Sequence, residues 1–407
     1  MRRKRPDRRG TSSLPELAAC ILLLLGSSAA ARAAEETAPA SDPSDSSAAI
    51  EPEPAPDDGS YDGLVARMGP VTATFRFFGD VGAAYDSGIE DGAKTSFLAG
   101  SFDFFTSARL GDHLQILSEV VAEFEPDTNE VGFELERLWG QYTWSDYFYA
   151  KLGREHSMVN YWNRRYHHGR VYWPAVTQPF LARFEDQGGP LPIHAAGLEL
   201  GGRARTGIGT FGYIGAVSNG RGFETTEVAN VQDRNDSKAF DIGGNYSPSG
   251  LPGLLVGVNY RSDSIPANPV DPDSVDADEV IVSAYGELHA GRWESIAEAA
   301  TIEHDGRPES GDYEHRSAYL QVNYNLDRWG IYGRVDTRDM DAGDPFYVPA
   351  NLDLDRWDAL VGVRLNLGEQ AAVKLEGGAG RAEQRDELGV VSKDDVHFAS
   401  LGLQWVF

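Results

Sequence analysis

Past residue 33 this 407-residue chain has no apolar run long enough to cross a bilayer as a helix, which takes about 20 residues. Cysteine is nearly absent, Cys20 being the single copy. Cations are scarce beside anions: 36 Lys and Arg stand against 63 Asp and Glu, a formal net charge of −27. An excess of that size excludes nucleic acid as a partner and repels anionic bilayer surfaces.

What is present begins with an address. Arg2, Arg3, Lys4, Arg5, Arg8 and Arg9 precede an apolar run from Leu17 to Leu25, and small residues lead to Ala31-Arg32-Ala33. This is the layout of a cleaved secretory signal over residues 1–33, with cleavage before Ala34. Leu17-Ala18-Ala19-Cys20 imitates a lipoprotein box, but a lipidated cysteine follows its apolar run and Cys20 sits near the start of this one. Without residues 1–33, 29 basic and 61 acidic residues remain, a net of −32, and an internal disulfide is excluded. Residues 34–70 are Pro, Ala, Ser and acid, with no aromatic before Tyr61 and no basic residue before Arg67. Such a stretch buries too little apolar surface to offset chain entropy and reads as a disordered periplasmic spacer.

From Val71 onward, apolar and polar residues alternate with period two in segments of membrane-strand length. Sixteen are expected, over 71–86, 96–110, 114–125, 131–144, 148–155, 194–205, 210–218, 238–247, 254–262, 279–290, 293–303, 314–324, 329–338, 355–367, 371–382 and 395–407. In one, Leu254, Val256, Val258 and Tyr260 oppose Gly257, Asn259 and Arg261. The fourth changes phase between Leu135 and Leu138, the mark of a bulge. Charge sets the eleventh, where Glu294 and Glu298 face water and Trp293 and Ala297 face lipid.

Connections alternate between brief turns, such as Gly111-Asp112-His113 and Gly291-Arg292, and mostly longer acidic loops, as outer-membrane barrels require. Trp144, Trp293, Trp329 and Trp405 sit beside the brief turns with Tyr147, Phe148 and Phe407, as an inner aromatic girdle would. The fold expected is all-β, a transmembrane antiparallel up-and-down barrel of about sixteen strands over 71–407, with both termini periplasmic. The expected location is the outer membrane of a Gram-negative cell, among its lipids and lipopolysaccharide. Trp405 and Phe407 close the barrel and are candidates for the signal read by the barrel-assembly machinery.

Between Arg154 and His194 the alternation breaks, and loop 156–193 carries Arg164, Arg165, His167, His168, Arg170, Arg183, Glu185 and Asp186 among tyrosines and tryptophans. Those aromatics need a surface to pack on, which points the loop into the barrel. There, with Arg154, its charges would meet the wall: Glu119, Glu123, Glu134 and Glu136 on one side, Arg334, Arg338, Arg364, Lys374 and Arg76 on the other. Arg164, Arg165 and Arg170 are expected to meet Glu119, Glu123 or Glu136. Wall charges of opposite sign across a narrow lumen orient small polar solutes, or else simply pair with neighbours.

Sixteen strands, Leu152-Gly153-Arg154 closing the fifth, a long third loop and a terminal phenylalanine together resemble a trimeric general porin of Gram-negative outer membranes. The resemblance lies in layout over 71–407 and implies a homotrimer, an inward constriction loop and passive diffusion of small hydrophilic solutes and ions. The chain departs from it in a loop rich in Arg and His where the family tends to acidic residues, which leaves ion preference open. A substrate-selective channel for phosphate or another anion is the alternative. A barrel enzyme or adhesin is more distant. His315-Arg316-Ser317 has the spacing of outer-membrane phospholipases, but its face is lumenal. His156, His167 and His168 lack a carboxylate at ligand spacing, and Asp271, Asp273, Asp276 and Asp278 lack the turn glycine of a calcium loop. No catalytic residue, metal or cofactor is expected.

Overall fold

The computed structural model describes residues 63–407 apart from 89–93, 126–129, 167–168, 185–186, 226, 228–231, 271–273, 275, 307–310 and 387–388. The expected signal, nearly all of the tail, and His167, His168, Glu185 and Asp186 lie outside the described residues.

The strands are β1 (Leu64–Met68), β2 (Val71–Asp86), β3 (Thr95–Leu98), β4 (Ser101–Leu110), β5 (Leu114–Glu125), β6 (Glu130–Ser145), β7 (Phe148–His156), β8 (His194–Thr206) and β9 (Gly209–Ser218). They continue with β10 (Ala239–Pro248), β11 (Leu254–Ile265), β12 (Ala277–Ala290), β13 (Trp293–Gly306), β14 (Asp312–Leu326), β15 (Trp329–Met340), β16 (Arg356–Asn366), β17 (Ala371–Arg385) and β18 (Val391–Val406). From β4 each pairs antiparallel with the next, and β18 closes on β2, so no edge is left along the circuit. Sixteen strands make the circumference, because β3 and β4 share one lane against β2 and β1 lies beyond the end of β18.

Two local features explain the extra pieces. The β3–β4 lane breaks at Gly100, whose φ is +71° and where a Cβ would stand 2.2 Å from the Asp80 carbonyl oxygen. Only glycine fits so close to a neighbouring backbone. At the seam, Phe407 exchanges two backbone hydrogen bonds with Phe77, at 2.9 and 3.1 Å. Beyond it β1 takes up the same lane, pairing Leu64 with Phe75 through Met68 with Val71. Residues 64–68, assigned to the tail by composition, are therefore part of the sheet.

The phase change in β6 is a bulge. Arg137 pairs with Glu119 and Leu135 with Val120, so Glu136 is the extra residue, and Glu136 and Arg137 both turn inward and are buried. Outward residues form the apolar band: Phe240 and Ile242 are exposed where Asp241 is buried, and Ile331 and Val335 where Arg334 and Asp336 are. At the short turns Tyr142, Trp144 and Phe148 pack in sequence at 4.8 and 5.1 Å, and Trp293 packs on Tyr324 at 4.7 Å. Trp405 lies across Gly79, its cross-strand partner, so closely that a Cβ there would sit 2.6 Å from the indole.

Candidate functional site

The long loop after β7 runs inside the barrel. Its residues Val159, Trp162, Leu181 and Leu191 are buried against inward-facing Leu255, Ile281, Ile296, Ile302 and Tyr319 of β11–β14. A water-filled lumen calls for polar inward positions, so this apolar patch on the inner wall marks the loop's seat. Tyr161 stacks flat on Tyr285 at 4.0 Å. Val171 joins a second cluster with Phe78, Phe105 and Trp139, which carries the loop round to β2, β4 and β6.

A buried segment with little regular structure must find partners for its backbone, and charged wall residues supply them. Glu298 accepts from the amides of Tyr161 and Trp162 at 2.7 and 3.2 Å, holding the first turn of a short α-helix in the loop, α1 (Tyr161–Tyr166). Glu376 accepts from the amides of Val176 and Thr177 at 2.8 and 3.1 Å and from the Thr177 hydroxyl at 2.5 Å. Asp336 takes the Phe180 amide at 3.2 Å. The loop carbonyls go to cations. Lys374 donates to Arg170, Trp173 and Ala175 at 2.7, 2.6 and 3.3 Å. Arg364 donates to Trp173 at 3.0 Å, Arg334 to Thr177 and Gln178, and Arg338 to Gly188 at 3.0 Å. Wall charges of both signs thus hold the loop, acid to N–H and base to C=O. Pairing between charges on β13–β17 is not their main use.

Among the described residues, only Arg170 of the loop cations meets one of the expected partners. Arg170 reaches Glu123 at 3.9 Å but is closer to Asp80, at 3.1 Å. Arg164 pairs with Glu199 of β8 at 2.9 Å, and Arg165 stands 3.6 Å from Glu287 of β12. Neither meets Glu119, which binds Arg137 at 3.0 Å, nor Glu136, which lies 2.6 Å from His194. The cause is the apolar patch on β11–β14, which draws the helix away from β5 and β6. Arg154 supports the same corner, donating to the Leu135 carbonyl and approaching His194 at 3.0 Å. Arg76 is buried in the wall, and Glu134 is exposed on the inward face above the bulge.

Arg137, Glu155, Lys151 and Glu199, which pattern alone does not single out, join the site. Glu119, Arg137, Glu155, Lys151, Glu199 and Arg164 form a ladder of alternating charge with contacts of 2.8–3.5 Å. Arg183 and Arg356 lie over the Phe180 ring at 4.7 and 4.8 Å. Burial, with Arg356 beside it, pushes the Arg183 guanidinium down to about 10, so it stays charged at neutral pH. Among the described residues neither Arg183 nor Arg338 has a carboxylate at ion-pair distance, whereas Arg356 pairs with Asp358 at 2.9 Å. A second loop, 341–355, also turns inward, burying Phe346, Tyr347 and Leu352 with Ile265 and Met340. Its Asp344 lies 2.6 Å from both His304 and His315. Burial opposes ionisation of Asp344, but those two hydrogen bonds outweigh it and hold the carboxyl below its ordinary range. The spacing is that of hydrogen bonds, tighter than the roughly 3.3 Å between ligands of a tetrahedral zinc. His315 is thus committed to Asp344, and Ser317 donates to the Thr337 carbonyl, so the His-x-Ser pair is not joined. His156 stands beside His194, with ring centres 5.5 Å apart.

Under the loop, towards the short turns, a cavity of about 340 Å³ opens beneath Tyr172 and Pro174.

No family model and no curated protein matches the chain. Solved structures do resemble it. An anion-selective porin from Comamonas acidovorans superposes with a TM-score of 0.60 at 13% identity, over 83% of this chain and 100% of that one. OmpT, an outer-membrane protein of Vibrio cholerae, in its trimer form, gives 0.54 at 12% identity over 83% and 99%. The outer-membrane channel DcaP of Acinetobacter baumannii gives 0.56 at 10% identity over 85% and 100%. At these identities the likeness is one of architecture, and that architecture, a closed sixteen-stranded barrel, is the fold of the outer-membrane porins.

Proposed function

We propose that the protein is an outer-membrane pore through which small hydrophilic solutes diffuse passively, with loop 156–193 as its constriction. One observation carries this reading: a long loop is seated inside a closed barrel by hydrogen bonds to Glu298, Glu376, Lys374 and Arg334. A loop held at so many points narrows the lumen without sealing it by chance motion. The short-turn end is periplasmic on this reading, with both termini there and a signal removed on export. The apolar band meets lipid and the outer loops meet lipopolysaccharide. A homotrimer is supported by the trimer form of the Vibrio protein. Catalysis forms no part of the proposal. Reconstituted in planar bilayers, the protein gives stepwise conductance that scales with bulk salt, and liposomes swell in small sugars but not in large ones. A protein that inserts yet yields no conductance steps would end this reading.

Anion preference is the more selective version, and Arg183, Arg338 and Arg356 favour it. Arg183 and Arg356 lie over Phe180 and Arg338 feels the charge of both, with one ion-paired carboxylate among the three, leaving local positive charge in an otherwise acidic protein. A reversal potential favouring chloride over potassium supports it. Cation preference would leave the unselective pore.

A further inference from the structure

The cavity under the loop holds two charges that the fold does not use up. Glu294 is the second residue of β13, and its one hydrogen bond among the described residues comes from the Tyr166 hydroxyl at 3.3 Å. Arg364, on β16, gives Nε to Asn366 at 2.7 Å and Nη1 to the Trp173 carbonyl at 3.0 Å. Its Nη2 has no partner among the described residues, and neither group has an opposite charge within 4.0 Å there. Glu294 and Arg364 line the same space.

Their separation is fixed by the sheet. Register runs from Glu294 to Asn323, Tyr332 and Gly362, and Arg364 lies two residues further along β16, so the two charges stand three strands apart and offset by two residues. That is about 14 Å across the strands and about 7 Å along them, or about 16 Å between backbones, and the two side chains close most of it from either end. What remains suits a molecule with a cation and an anion a few ångströms apart, held at each end by a charge-assisted hydrogen bond of about 2.8 Å. Asn323, Asn325 and Asn366 give the lining its neutral polar groups, and its one further charge, Asp327, is exposed and faces Arg292 at 3.6 Å. Gly330, lying between the charges, leaves the space open. A Cβ there would be 3.4 Å from Asn325 and 3.7 Å from Arg364, in ordinary contact.

We propose that this cavity is a binding site for zwitterionic solutes of amino-acid size, with the ammonium on Glu294 and the carboxylate on Arg364. The proposal rests on the pore reading above and names a solute class for it. A volume of about 340 Å³ holds such a molecule with a few waters. Lone anions or lone cations satisfy only one end, and the other charge then meets no opposite charge.

The test is current block in planar bilayers, with L-serine added at the short-turn side and the blocked fraction read within each variant. L-Serine blocks wild-type current reversibly and saturably. Propionate and ethylammonium, each carrying one of its charges, need at least about tenfold higher concentration. Glu294→Gln and Arg364→Gln each raise the half-blocking concentration about tenfold, the loss of one charge-assisted bond. Gly330→Leu abolishes block by filling the cavity while both charges remain. Block by propionate equal to that by L-serine, a block that never saturates, or unchanged block in Gly330→Leu would overturn the site. Absence of any wild-type conductance would instead refute the pore reading.

Discussion

Replacing Glu376 with alanine should unseat the middle of the inward loop. Glu376 accepts three hydrogen bonds from Val176 and Thr177, at 2.8, 3.1 and 2.5 Å, and a fourth from Tyr332 at 3.0 Å. A bond to a charged group contributes about 1.5–3 kcal/mol. Lumen water takes over part of each lost bond, so the three loop contacts together lose about 3 kcal/mol, or about a hundredfold in the ratio of seated to unseated loop. Ala175, between Glu376 and the Lys374 ammonium, is fully buried when the loop is seated. The only cysteine of the chain is Cys20 in the expected signal, so Ala175→Cys offers a single thiol. Labelling by a polar maleimide is expected to be slow in Ala175→Cys and about a hundredfold faster when Glu376→Ala is added. Equal rates would mean that the wall carboxylates do not hold the loop, and the account of the wall charges would fail.

Other perturbations have equally definite outcomes. The depressed Asp344 carboxyl stabilises the seat of loop 341–355 above the ordinary aspartate range near pH 3.9, and that stability is lost as pH falls below it. Conductance is therefore steady from pH 7 to about 5 and becomes noisy in stronger acid, whereas Asp344→Asn is noisy throughout. Gly79→Val drives a side chain into the Trp405 indole, and removal of Phe407 deletes two seam hydrogen bonds. Both should lower the yield of heat-resistant barrel in membranes, and a normal yield would detach the seam from assembly. Neutralising Arg183 and Arg338 together shifts the reversal potential towards cations by leaving the acidic wall dominant. An unchanged potential would remove those arginines from ion selection.

The barrel was legible in the sequence because period two survives wherever one face meets water and the other does not. The segments expected over 210–218 and 293–303 match β9 (Gly209–Ser218) and most of β13 (Trp293–Gly306). Several strands run past the alternating pattern at the long-loop side. β11 runs on to Ile265 and β12 begins at Ala277, because Asp263 and Asp278 break the apolar pattern while their backbones still pair. β1 is not legible in the sequence, since Leu64–Met68 shows no alternation and pairs only by continuing the lane of β18. The bulge was readable from its phase change, but its consequence, that Arg137 faces Glu119, was not. That the loop turns inward followed from its aromatics. Its partners did not, because Glu199, Glu287, Glu298 and Glu376 lie far off in sequence and meet it only across the lumen.

The most direct measurement is single-channel conductance of the wild type and of a variant lacking residues 161–170, the segment that carries α1, Arg164, Arg165 and Arg170. With the loop as the constriction, the shortened protein still forms a heat-resistant barrel, conducts severalfold more current per opening and admits larger sugars in liposome swelling. A correctly folded variant with wild-type conductance and the same sugar cut-off would show that the loop does not set permeability.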